Sequence, residues 1–329
     1  MALKYYSRFV PLALVVSVFL MVLLSYSKPF FITTGPTPFF VPTGVTTVAS
    51  PIQMNYTNSP NGILTRSSNF STLIIRLKGR LGNMMFQYAS ILGIAATCKF
   101  SNVVVERGEH LREIFSFSNT KVSFSASTMS STSIREKKSG TFDNRLVTLN
   151  NSVSFRVDGY LQSWRYFEAI RDTVRKEFTF STEISNKAWF RLHDVLKTFN
   201  VTNATFVGVH IRRGDFTYNK KYGFLTAPLE YIIKSMNIFL NLYSNRTVFV
   251  ICSDGIKWAK DALSNVTSSY NMYFMEGNSA EVDMAILSKC NHTIITTGTF
   301  SWWAAWLAGR YDDCLQEAGV GKHVLMDSI

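Results

Sequence analysis

Three short polar clusters close apolar runs in this sequence, and their residue types suit the binding of a charged phosphate ester. The first, His210-Ile211-Arg212-Arg213-Gly214-Asp215, follows the run TFVGV. A guanidinium there can grip a phosphate through two parallel N–H donors. It can equally pair with Asp215 as a structural bridge, and the two arginines can divide these roles. The second, Gly298-Thr299-Phe300-Ser301, lies between TIITT and SWWAAWLAG. A helix beginning there would offer unpaired amides and the positive end of its dipole to an anion, although Thr or Ser is also an ordinary N-cap. The third, Ser253-Asp254-Gly255, follows TVFVIC. Its carboxylate can accept from a ribose or a base, or cap the next helix. Each of the last two is weak alone, and together the three describe a nucleotide-diphosphate site.

The elements that must position them read as alternating strands and helices. Residues 72–78, 102–106, 205–211, 247–253 and 293–297 are apolar runs of the kind buried on both faces of a parallel sheet. A helix is expected after each, among them one from Asn83 to about Ala96 behind the turn Gly79-Arg80-Leu81-Gly82. This alternation predicts an α/β fold with parallel sheets, in which ligands sit beyond the carboxyl ends of the strands. Period-two alternation puts Gly208, His210 and Arg212 on one face of their strand and Val209, Ile211 and Arg213 on the other. Residues 120–141, rich in Ser and Thr, break the pattern and read as a mobile insertion. Trp302, Trp303 and Trp306, at helical spacing, read as core.

The rest of the chain says where such a domain would work. Of 329 residues, 47% are apolar and 17% charged, which excludes a disordered polyelectrolyte. The net charge of +12 comes from 34 Lys and Arg against 22 Asp and Glu, and no acidic residue precedes Glu106. Residues 9–27 are uncharged and bracketed by Lys4, Arg8 and Lys28. As a helix they would rise about 28 Å, roughly a bilayer's hydrocarbon thickness. A cleaved signal peptide is the other reading; the flanking charges favour an anchor with residues 1–8 in the cytosol. Residues 28–71 hold six of the eight prolines and read as a flexible stem. Sequons at Asn55, Asn69, Asn150, Asn200, Asn203, Asn245, Asn265 and Asn291 agree with a lumenal domain, with Asn291 expected to be too buried to modify. A nucleic-acid partner is not expected.

Five stretches then carry a resemblance: GRLGNMMFQYA (79–89), GYLQSWRYF (159–167), VGVHIRRGDF (207–216), SDGIKWAKD (253–261) and CNHTIITTGTFSWWAAWLAG (290–309). In this order they resemble the galactoside α-1,2-fucosyltransferases, of invertebrate type, and more broadly the superfamily with an H-x-R-R-x-D motif. The resemblance implies a GT-B-like fold of two Rossmann-type subdomains, residues 72–200 and 201–329, with GDP-fucose held chiefly by the second. It implies a single-pass type II Golgi membrane protein acting on β-galactose-terminated glycans. Arg212 would contact the diphosphate and His210 would order the donor. Gly82, Asn83, Arg213, Asp254, Asp283, Thr299, Phe300 and Ser301 would complete donor binding. Gln162 and Trp164 receive no role.

Fucosyl transfer of this kind would invert the anomeric carbon and leave negative charge on GDP. No Asp-x-Asp motif is present, and Glu281-Val282-Asp283 reads instead as the start of a helix with a capping box from Asn278 to Glu281. No metal or other cofactor is therefore expected, with Arg212 and the amides near Thr299 in its place. Asp215 is a candidate general base and equally a partner for Arg213, with Glu106, Glu109 and His110 as alternatives. Cys98, Cys252, Cys290 and Cys314 allow up to two disulfides, and Cys252 reads as a buried thiol.

Overall fold

The computed structural model describes residues 71–309, apart from 202 and 219–223. The expected membrane span and stem, Asn55, Asn69 and Cys314 lie outside the described residues, and among those described no helix is long and apolar enough to cross a membrane.

Among the described residues nine strands form two sheets, and every pairing within them is parallel. The first has the order β3-β2-β1-β5-β4, with β1 at Thr72–Arg76, β2 at Asn102–Glu106, β3 at Val122–Phe124, β4 at Thr132–Arg135 and β5 at Phe155–Asp158. The second has the order β8-β7-β6-β9, with β6 at Thr205–Ile211, β7 at Thr247–Ser253, β8 at Asn271–Phe274 and β9 at His292–Ile294. The central strands β1, β2, β6 and β7 are largely apolar runs because helices cover both their faces. The stretch read as a mobile insertion instead supplies both edge strands of the first sheet, β3 and β4. Edge strands of three and four residues with exposed faces need no apolar run, so Ser and Thr serve there and leave no periodic signal. Strand β9 stops at Ile294, and Ile295–Thr297 becomes a connection to the next helix.

Helix α1 (Leu81–Cys98) is the centre of the molecule. Thirteen of its 18 residues are buried, so it is apolar nearly all round rather than striped. It starts two residues earlier than expected because Arg80 already has extended N-cap geometry. The 159–167 stretch lies against it so closely that a Cβ on Gly93 would stand 1.9 Å from the Tyr166 carbonyl oxygen. Helices α2 (Glu109–Ile114), α3 (Arg171–Glu177) and α4 (Thr182–Phe199) follow in the first half. Helices α5 (Leu229–Tyr243), α6 (Ile256–Leu263), α7 (Ala280–Lys289) and α8 (Thr299–Leu307) alternate with the strands of the second sheet.

One core cluster runs from β1 and α1 through α7 and α8 to one face of β7. At its middle, Phe167 stacks on Trp303 at 5.6 Å and Phe86 lies 4.7 Å from Trp302. All three tryptophans of α8 are buried, as core packing requires. A second cluster fills the other face of β6 and β7 under α5. Helix α4 lies against α7, so the segment before residue 200 also packs on the second sheet's layer.

Candidate functional site

The register of the second sheet decides which side chains meet at its carboxyl edge. Ile211 pairs with Ser253 and Val209 with Ile294, so the residues after β6, β7 and β9 leave the sheet side by side. On one face of β6, Val209 and Ile211 are packed with Ile232 and Met236 of α5. On the other, His210 faces α8. Its Nδ1 shares a 2.5 Å hydrogen bond with Ser301 Oγ, and its ring lies 4.7 Å from that of Phe300. Burial first, and then the charge of Arg212, pushes the His210 pKa down to about 3. A neutral imidazole fixed in this way ties β6 to α8 and is no proton carrier near neutrality.

Arg212 is held from several sides. Its amide donates to Thr296 Oγ1 at 2.9 Å, and that hydroxyl donates to the His210 carbonyl at 3.1 Å. Its guanidinium, 14% exposed, pairs with Asp254 through one terminal nitrogen and Asp215 through the other, and lies over Phe216 at 5.0 Å. Asp215 also pairs with Arg80 at 2.5 Å. Burial opposes the charge of this carboxylate, but Arg80 and Arg212 outweigh it and hold its pKa below the ordinary value. The expected pairing of Asp215 with Arg213 is not formed. Arg213 turns to the other face, its guanidinium 3.8 Å over the Trp258 ring, and only its amide reaches Asp254, at 2.6 Å.

From the first half of the chain, the amino end of α1 meets the amino end of α8. A Cβ on Gly82 would lie 2.8 Å from the Phe300 nitrogen, so only a glycine permits this approach. Trp303 Nε1 donates to the Gly82 carbonyl at 3.1 Å, and Thr299 Oγ1 donates to Asn83 Oδ1 at 3.0 Å. Neither N-cap, Arg80 or Gly298, caps its helix with a side chain. Two partly positive helix ends and two arginines therefore gather on one spot, with Asp215 and Asp254 as counter-charges. Such a cluster is suited to an anion of more than one negative charge.

Other nominated residues lie elsewhere or do other work. Asp283 accepts from Asn278 Nδ2 at 2.9 Å, and burial raises its pKa. The capping box is not formed, because Ser279 is the N-cap of α7 and the Asn278 side chain goes to Asp283. Glu106 pairs with Arg156 at 2.9 Å and accepts from the Ser127 amide, while Glu109 and His110 are exposed on α2. Cys98, Cys252 and Cys290 are free thiols, the last pushed up to about 12 by burial. Asn291 is exposed, against expectation, although its Oδ1 accepts from the Phe206 amide at 2.9 Å. Asn150, Asn200, Asn203 and Asn265 are exposed too. Among the described residues no three His, Cys, Asp or Glu side chains gather as a metal-binding group.

Sequence reasoning missed Arg80, Thr296 and the contact of Gln162, whose Nε2 donates to Asn83 Oδ1 at 2.8 Å. Arg80 and Gln162 both lie in stretches singled out above. Their partners, however, come from 135 and 79 positions away along the chain, a separation no local pattern encodes.

Galactoside alpha-(1,2)-fucosyltransferase 1 of Mus musculus is 29% identical over 271 residues, covering 80% of this chain and 70% of that protein. Galactoside alpha-(1,2)-fucosyltransferase 2 of the same species is 37% identical over 160 residues, which is 47% of this chain and 45% of the relative. The match to this second relative thus spans less than half its length. A crystal structure of the fucosyltransferase NodZ from Bradyrhizobium superposes with a TM-score of 0.50 at 15% identity, covering 73% of this chain and 94% of that one. That likeness is one of fold. Residues 45–315, most of the sequence, match glycosyl transferase family 11, and the chain belongs to that family of glycosyltransferases.

Proposed function

We propose that the protein transfers L-fucose from GDP-fucose to the 2-hydroxyl of terminal β-galactose on glycans, inverting the anomeric carbon. The observation that carries this reading is the meeting of Arg212, Arg80 and two uncapped helix ends at one place. Breaking the bond between fucose C1 and the β-phosphate oxygen moves negative charge onto GDP, and fixed donors at that place stabilise it as it grows. Arg212 has five N–H donors and spends two on Asp215 and Asp254, so its remaining donors and Arg80 face the diphosphate. The first-turn amides of α8, at Thr299, Phe300 and Ser301, take further phosphate oxygens, and Asn83 approaches from α1. Asp254 is the candidate for the guanosine.

Two separate parallel sheets support a GT-B-like arrangement, with residues 72–200 and 201–329 as its subdomains and the donor chiefly on the second. The uncharged span at 9–27 supports a single-pass anchor in the Golgi membrane with the catalytic region lumenal. The cationic cluster supports turnover without a metal. GDP release from GDP-fucose, with lactose as acceptor and EDTA present, tests the whole reading. Steady GDP release and a new α-1,2 linkage are expected. Loss of turnover in EDTA would hand the charge-stabilising role to a metal. GDP binding without release would leave a glycan- or anion-binding protein on this fold.

A further inference from the structure

We infer that the loop after β4 is a docking surface for an acidic glycan acceptor. Its lysines, Lys137 and Lys138, hold a sulfate or carboxylate on the sugar chain that carries the accepting galactose. This rests on the fucosyl-transfer reading and adds the acceptor's charge to it.

The loop runs from Glu136 to Asp143, and its own carboxylates are turned inward. Glu136 and Asp143 are 7% and 6% exposed, because both serve as anchors for the backbone. Glu136 accepts from the Tyr160 and Leu161 amides at 3.0 and 3.2 Å. Asp143 accepts from the Lys137 amide at 3.1 Å and pairs with Arg145 at 2.7 Å. What remains outside is basic: Arg135, Lys137, Lys138, Arg145 and Arg165 are all exposed. They share one surface, since Arg145 donates to the Arg135 carbonyl at 3.0 Å and Arg165 lies 4.3 Å from the Phe142 ring. Asp158 is the partly exposed carboxylate beside them, and Lys78 at 2.5 Å and Arg135 at 2.8 Å already share it. Among the described residues Lys137 and Lys138 form no ion pair.

Position separates this patch from an ordinary solvated charge run. Ser139, next to Lys138, shares a 3.4 Å hydrogen bond with Gln162. Gln162 meets Asn83 at 2.8 Å, and Asn83 meets Thr299 at 3.0 Å. Three hydrogen bonds therefore lead from the loop to the first turn of α8, where the transfer reading puts donor phosphates. Lys78 gives a second connection, standing two residues before Arg80, which pairs with Asp215. Both routes arrive from the first half of the chain, whereas the donor is assigned chiefly to the second. An acceptor that meets the donor from this side extends its remaining sugars across the loop.

The chemistry selects the kind of acceptor. Neutral sugars are bound by hydrogen bonds and ring faces, and gain little from ammonium groups that water already solvates. A sulfate or carboxylate supplies the opposite charge, and several like charges held together attract it beyond any one pair. Lysines suit this task as point charges that need no single bidentate geometry.

Transfer rates at low ionic strength test this. Neutral N-acetyllactosamine is compared with the same disaccharide sulfated on its glucosamine ring, and lactose with lactobionate. Expected is a kcat/KM about threefold or more higher for the acidic acceptors, since exposed pairs are individually weak. The difference should vanish near 0.5 M salt, where the screening length is only about 4 Å. In Lys137→Glu/Lys138→Glu the preference should reverse, while lactose turnover and calorimetric GDP affinity stay within about twofold. If that variant does not fold, Lys137→Ala/Lys138→Ala carries the comparison, with the preference lost rather than reversed. A gain with only one of the two acidic acceptors supports the inference and names the anion. Equal rates on acidic and neutral acceptors overturn it, as does an acid preference that survives in the variants. Equal rates together with lysine-dependent capture by phosphatidylserine vesicles assign the surface to a membrane and overturn it too. If the native protein binds GDP but transfers nothing, calorimetry of the two N-acetyllactosamines on the GDP-loaded protein decides the surface, and only the transfer reading falls. A native protein that binds no GDP overturns both.

Discussion

Arg212 between two carboxylates is the residue on which most depends. A lysine there would keep the charge but could not span Asp215 and Asp254 and still offer donors to a phosphate. Arg212→Lys should lower kcat on the order of 100-fold in the GDP-release assay. His210 gives a second expectation. Its folded pKa of about 3 lies below the ordinary 6.5, so the folded protein binds fewer protons than the unfolded chain. The stability linked to this residue is intact above pH 6.5 and is lost as the pH falls from 6.5 toward 3. At pH 5 the loss is about 2 kcal/mol, visible as a lower urea midpoint than at pH 7, and His210→Gln should flatten that slope. The side-chain alternation along β6 was readable in the sequence, because period two is a property of any strand. That Asp254 reaches Arg212 was not, because it depends on Ile211 pairing with Ser253 across the sheet.

At the scale of elements, the contact between α1 and α8 is close enough to be broken by a single carbon. Gly82→Ala places a methyl 2.8 Å from the Phe300 nitrogen, and should weaken GDP binding about tenfold while costing 1–3 kcal/mol, roughly the range for overpacking. Gly93→Ala meets the Tyr166 carbonyl at 1.9 Å and should cost at least about 3 kcal/mol. Thermal unfolding of the two variants would rank them, with Gly93→Ala the less stable. The strands β1, β2, β6 and β7 and the helices α1 and α8 were legible because apolar runs and turn residues mark them. Strands β3, β4 and β8 lie at sheet edges, and short edge strands carry too few buried positions to stand out. Strand β5 is central, yet Arg156 and Asp158 interrupt its apolar pattern, because they pair with Glu106 and Lys78.

For the molecule as a whole, the surface fixes which sequons can be used. Asn150 and Asn265 are exposed, and glycopeptide mass analysis of protein purified from animal cells should find both occupied. Asn291 is exposed too, but its side chain accepts from the Phe206 amide, so lower occupancy is expected there. The clusters at the ends of β6, β7 and β9 stood out in the sequence because each closes an apolar run. What could not be read was that helix α1 also brings Arg80 to Asp215, whereas Asn83 was expected near this place from the resemblance. The two sheets share one core around the α8 tryptophans, and the residues of that core come from both halves of the chain.

The pairing of α1 with α8 also bears on how the protein is made. Asn83 and Thr299 are 216 positions apart, so a ribosome delivers one side of this contact long before the other. A nascent chain lacking Thr299–Leu307 has an apolar central helix with no tryptophans to cover it. Such a chain is a natural client for chaperones, and the contact between α1 and α8 can close only when synthesis of the fold is nearly finished.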